Sequence, residues 1–155
     1  MEIPKSKGNY VIVWENPDCG LALIPRFGNV TLPSGYYFYC GSAHGSGGLR
    51  SRTSRHLQNS HKKRWHIDYL KGNLHPIEVW WDTAEEENEC AYAAFLSSLN
   101  STSVIVSGFG ASDCSSGCQA HLIYALSDIQ VGSIFQEFSR KFPNTNRTLC
   151  KDLLR

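Results

Sequence analysis

Runs of β-branched and aromatic residues come first along the chain. Gly8–Glu15 (GNYVIVWE) predicts a strand, stopped by Asn16-Pro17-Asp18. CGLALIP predicts a second strand, RFGNVTLPSG a turn region, and YYFYCGS a third strand of high β-propensity. Three strands joined by short turns predict an antiparallel meander. The period then changes. Leu49, Thr53, His56 and Leu57 fall at helical spacing and predict a helix at about Gly48–Gln58, entered through Gly45, Gly47 and Gly48 with Ser46 as N-cap. WHIDYLKG (Trp65–Gly72) predicts a short helical turn closed by Gly72. Ile77–Trp81 reads as a strand after Pro76. Thr83 and Glu86 match a capping box for a helix from about Ala84 to Leu99. SVIVSGFGASD predicts a strand running into a glycine turn, HLIYAL fits either strand or helix, and a last helix covers about Val131–Lys141. The tail, Pro143–Arg155, is expected to be peripheral. The expected fold is a single small α+β domain, with a central, mostly antiparallel sheet flanked by helices.

Composition changes this picture little. Hydrophobic residues make up 41% of the chain and charged residues 19%, which suits a globular protein with a real core. No run is long enough to span a membrane, and MEIPKSKGNY has no apolar stretch behind its lysines, so neither membrane nor signal peptide is expected. The 6 cysteines are scattered rather than clustered, which favours a reducing, cytoplasmic setting.

Charge is more informative. The formal net charge is only +1, yet no Asp or Glu occurs between Cys19 and Ile67, and no Lys or Arg between Gly72 and Ser139. One part of the chain is basic and another acidic. This asymmetry points to a basic face for a polyanion, with carboxylates elsewhere able to hold a cation; the bland alternative is two solvated faces.

Candidate chemistry concentrates in Tyr36–His66. Arg52 offers a planar fork of donors to a phosphate, and His56, one turn on, lies on the same helical face and can move protons near neutral pH. Tyr39 ends the strand that delivers the chain to this helix. A glycine-rich entry to a helix is itself a place for phosphate. Arg50, Arg55, Lys62, Lys63 and Arg64 are the candidates for contacts with a nucleic-acid backbone, or else meet only solvent. His66, Asp68 and Asp113 are possible additional site residues. Cys114, Cys118 and His121, with Cys90 or His66 as a fourth ligand, have spacings that allow zinc; buried thiols and a backbone-bonded histidine are the alternative.

Tyr39-Cys40-Gly41 followed by Leu49-x-x-Arg52-x-x-x-His56 resembles the second half of the GIY-YIG nuclease signature, and Gly8-Asn9-Tyr10 resembles the first half. The segments Gly41-Ser42-Ala43, Arg55-His56, Trp65–Leu70, Glu89-Cys90, Gly108–Cys114 and His121-Leu122 are similar to those of an uncharacterised branch of that superfamily, DUF123. The resemblance implies a metal-dependent endonuclease acting on DNA, with RNA less favoured. It puts Tyr10 and Tyr39 on the nucleophile side, Arg52 on the scissile phosphate, and Glu89 on a divalent ion, Mg²⁺ or Mn²⁺. It also implies that the two motifs pair, with a hairpin at Leu21–Leu32 absorbing the chain between them. A noncatalytic nucleic-acid-binding module on the same fold is the alternative expectation.

Overall fold

The computed structural model describes residues 2–58, 63–111 and 117–153. In chain order the elements are β1 (Gly8–Asn16), β2 (Gly20–Ile24), β3 (Gly28–Leu32), β4 (Gly35–Ala43), α1 (Gly48–Leu57), a 3₁₀ turn (His66–Leu70), β5 (His75–Asp82), α2 (Glu89–Ser97), β6 (Thr102–Ser103), β7 (Leu122–Leu126), α3 (Val131–Lys141), β8 (Asn146–Leu149) and α4 (Cys150–Leu153). Six strands form one antiparallel sheet in the order β6-β7-β4-β1-β5-β8. This is an α+β fold. No helix of the described residues is long and apolar enough to cross a membrane.

β1 lies at the centre and is buried along almost its whole length, which explains its near-continuous apolar run. Its alternate residues feed two cores. Tyr10, Ile12 and Trp14 join Tyr37 and Tyr39 of β4 beneath α1 and the 3₁₀ turn, together with Leu49, Ile67 and Leu70. Val11 and Val13 join Phe38 and Cys40 beneath α2 and α3, with Tyr92, Leu96, Ile134 and Phe138.

The structure departs from expectation in several places. The first three strands make no meander: β1 pairs directly with β4, while β2 and β3 form a separate hairpin, and VTL is a strand rather than a turn. The hairpin at Leu21–Leu32 is present as expected. Ser46 does not cap α1; its N-cap is Gly47, with no side-chain bond. α2 begins at Glu89 rather than Ala84. The cause is long-range: Asp82 Oδ1 accepts the Ala84 N–H (2.9 Å), and Asn9 bonds both the Glu86 carbonyl (2.9 Å) and the Asn88 N–H (2.8 Å). The two Asn9 bonds take a carbonyl and an N–H that a helix begun at Ala84 would pair internally. Among the described residues of SVIVSGFGASD only the first is in a strand, because the backbone turns at Gly108 and Gly110 (φ of +87° and +71°) to drive Phe109 into the core. The tail adds β8 to the edge of β5 and buries Cys150. Arg147 grips the buried Glu78 through two bonds of 2.8 and 3.0 Å, and Trp81 Nε1 donates to Thr148 Oγ1 at 3.0 Å.

Gly48 shows how the N-terminal segment is fixed. Its φ is +61°, and a Cβ there would come within 2.0 Å of the Lys5 carbonyl oxygen. Gly48→Ala is therefore expected to lower stability by roughly 2–4 kcal/mol, read as a reduced urea midpoint at unchanged slope.

Candidate active site

The β1–β4 register places Tyr10 opposite Gly41 and Ile12 opposite Tyr39. The two phenols are thus diagonal neighbours on one face of paired strands. Gly41 is required here because the Tyr10 ring lies over it: a Cβ at Gly41 would meet that ring at 2.4 Å. Burial pushes both phenols well above the ordinary tyrosine range, and only the Arg52 guanidinium works against it at Tyr10. Both therefore keep their protons.

α1 brings Arg52 and His56 against these strands. His56 is buried, with Nε2 3.0 Å from the Tyr10 hydroxyl and its ring edge-on to Tyr39 at 5.4 Å. Burial, followed by Lys71, lowers its pKa to about 3, so the imidazole is neutral at physiological pH. The expectation that His56 exchanges protons near neutrality is thereby corrected. Arg52 Nη1 donates to the Ser42 carbonyl at 3.2 Å. The Ser42 hydroxyl lies on the other side, donating to Glu89 and 2.6 Å from Asn9 Oδ1. Ser42 thus ties the arginine to the carboxylate.

Glu89 starts α2, which packs on the sheet face opposite the two phenols. The groups still meet because β4 outruns β7: their pairing ends at Tyr39, while β4 continues to Ala43. At that open end lies a hollow of about 460 Å³, lined by Tyr10, Tyr39, Ser42, Arg52, Trp65 and Glu89, with Glu87 and His121 at its walls. Its size suits a small ligand or one nucleotide.

Trp65 forms one side. The guanidinium carbons of Arg52, Arg55 and Arg64 sit 5.0, 4.9 and 5.1 Å from its ring centre, a strongly basic aromatic platform. Asp68 sets that platform: its carboxylate accepts the Arg64 and Trp65 N–H groups at 2.8 and 2.9 Å and pairs with Lys71 at 3.4 Å. Burial would raise the Asp68 pKa, but these donors hold it below the usual value.

Other expected residues sit elsewhere. Arg50 points away, donating to the Ile3 carbonyl and pairing with Glu2. Lys63 is exposed, 4.9 Å over the Tyr69 ring. His66 accepts the Gly110 N–H through Nδ1 at 3.0 Å and packs against Phe27 and Phe109, so it tethers a hollow wall rather than facing the hollow. Lys62, Asp113 and Cys114 lie outside the described residues. Cys118 and His121 come together with Cys90, their ligand atoms within 4.8 Å of one another. The glycine-rich entry to α1 is not a phosphate cradle: the Leu49 and Arg50 N–H groups donate to the Ser6 and Pro4 carbonyls, at 2.8 and 3.0 Å.

Asn9, Ser42 and the platform role of Trp65 were missed in the sequence. Asn9 carried one signal: a buried polar residue inside an apolar central strand needs hydrogen-bond partners, and here it has four.

No curated protein and no solved structure matches the chain. The model of one family, described as domain of unknown function DUF123, matches residues 9–144, and the chain belongs to that family.

Proposed function

We propose that the hollow is the active site of a metal-dependent phosphodiester hydrolase of the GIY-YIG type, cutting DNA in preference to RNA. One observation carries this reading: Tyr10, Tyr39, Arg52 and Glu89 line a single cavity although they come from four elements and both sheet faces. Arg52 would meet the scissile phosphate with its donor fork. Tyr10 shares a hydrogen bond with the neutral His56, and in the tautomer whose Nε2 accepts, the phenol oxygen keeps a lone pair to accept from, and so orient, an attacking water. Tyr39 closes the same wall. The oxygen donors around Glu89 suit a hard cation that keeps most of its waters, so Mg²⁺ or Mn²⁺ fits there. When bound, such an ion would lower the pKa of water and offset charge on the phosphate. The test is nicking of supercoiled plasmid by the purified chain with Mg²⁺ or Mn²⁺. Cutting that stops on chelation supports the reading, and salt-sensitive binding with no cutting under either metal sinks it.

The rival, a noncatalytic nucleic-acid-binding module, is favoured by the Trp65 platform, which needs no metal. A base stacked on an aromatic ring contributes about 1–3 kcal/mol. Trp65→Ala is therefore expected to weaken single-stranded DNA binding roughly 10- to 100-fold, measured by fluorescence anisotropy at fixed salt.

A further inference from the structure

We infer that Cys90, Cys118 and His121 form a zinc site, separate from the Glu89 carboxylate. Cys90 is the second residue of α2. Cys118 and His121 arrive on the segment leading into β7, and the Cys40 N–H holds that segment down by bonding the His121 carbonyl at 2.8 Å. His121 is buried and the two cysteines half-buried, so the site is shielded but open to an entering ion.

The distances suit tetrahedral zinc. Cys90 Sγ and His121 Nε2 are 3.4 Å apart, against the ~3.6 Å that Zn–S and Zn–N bonds of normal length would set. All three ligand atoms lie within 4.8 Å, so a rotamer-scale shift closes the set. Two sulfurs and an imidazole select zinc over magnesium, which the oxygen donors near Glu89 would favour. Binding at neutral pH forms two Zn–S bonds and one Zn–N bond and releases the thiol protons to solvent. The described residues supply three of the four ligands that tetrahedral zinc takes. His121 also walls the hollow, so the ion would stand beside the phosphate region.

The test uses the full chain, reduced and stripped of metal, then loaded with one equivalent of Zn²⁺ or Co²⁺ and passed over chelating resin. About one bound equivalent is expected, with a sulfur-to-cobalt charge-transfer band in the near ultraviolet for the Co²⁺ form. That band should vanish in Cys90→Ser/Cys118→Ser, weaken in His121→Ala, and persist in Glu89→Gln. Zinc should also shield Cys90 and Cys118 from iodoacetamide, read by peptide mass, while the exposed Cys19 still reacts. This readout needs no variant and holds if a substitution prevents folding. Retention below about a fifth of an equivalent, a band that survives the double substitution, or equal alkylation of all three cysteines overturns the proposal. Stoichiometric Cys90 alkylation in the zinc-loaded protein would mark a reactive Cys–His pair instead.

Discussion

Glu89→Gln is expected to slow metal-dependent DNA cutting by on the order of 10³-fold while leaving DNA affinity within about threefold. The substitution keeps the shape of the side chain and leaves an amide oxygen able to accept from Ser42, so α2 and the strand ends stay in register. What it removes is the negative charge that would hold the cation. In the proposed reading affinity is set elsewhere, by Arg52, Arg55 and Arg64 around Trp65, and those are untouched. Arg52→Ala should behave differently, lowering both cutting and binding, because that guanidinium belongs to the platform and the hollow alike. Plasmid nicking beside anisotropy binding for the two variants reads this contrast. Cutting by Glu89→Gln within tenfold of the unsubstituted protein would remove Glu89 from the site, and a matching loss of binding would show that it acts by holding the fold.

Stability should fall steadily as pH drops from about 6.5 toward 3. His56 has its pKa lowered from 6.5 to about 3, by burial first and then by Lys71, with Arg52 and Arg55 adding to this and Asp68 opposing it. A group depressed in the folded state contributes stability that is present above its unfolded pKa and lost as pH falls through the folded one. Between those limits the unfolded chain takes up a proton that the folded chain refuses, at a cost of about 1.4 kcal/mol per pH unit. Asp68 has the same sign, but its window opens only below its ordinary 3.8, so it adds nothing to the His56 slope between pH 6.5 and 5. Urea midpoints across that range read the effect. His56→Gln should flatten the slope there while starting from a lower stability at pH 7, since the Tyr10 hydroxyl loses a partner held at 3.0 Å. An unchanged slope in that variant would place the proton uptake elsewhere.

Elements whose pattern is written locally were legible in the sequence. α3 spans Val131–Lys141 as its spacing predicts, with Ile134 and Phe138 buried one turn apart. α1 ends at Leu57, and β5 covers the Ile77–Trp81 run. The co-lining of the hollow by Tyr10, Tyr39, Arg52 and Glu89 was anticipated only through the resemblance, because no local rule separates Glu89 from Glu85, Glu86 or Glu87. What stayed hidden depends on distant partners. The Thr83–Glu86 capping pattern was locally sound, but Asn9 and Asp82 claim the backbone that a helix there would use. The tail looked peripheral because its anchor is a bidentate grip between Arg147 and Glu78, far apart in the chain. Cys118 and His121 were named from their spacing, but the choice of Cys90 over His66 beside them needs α2 and the pre-β7 segment side by side, which spacing alone does not say.

The strand order carries a kinetic cost as well. β1 is made before both of its sheet neighbours, β4 and β5, and the Asn9–Asp82 bond spans 73 positions. Until β5 has left the ribosome, one long edge of this central strand lacks its native partner. Such topology favours slow closure, in roughly milliseconds to seconds, and exposes a sticky edge in the interval. Production at low temperature or beside a holdase chaperone should therefore raise the soluble yield more than any change to the surface.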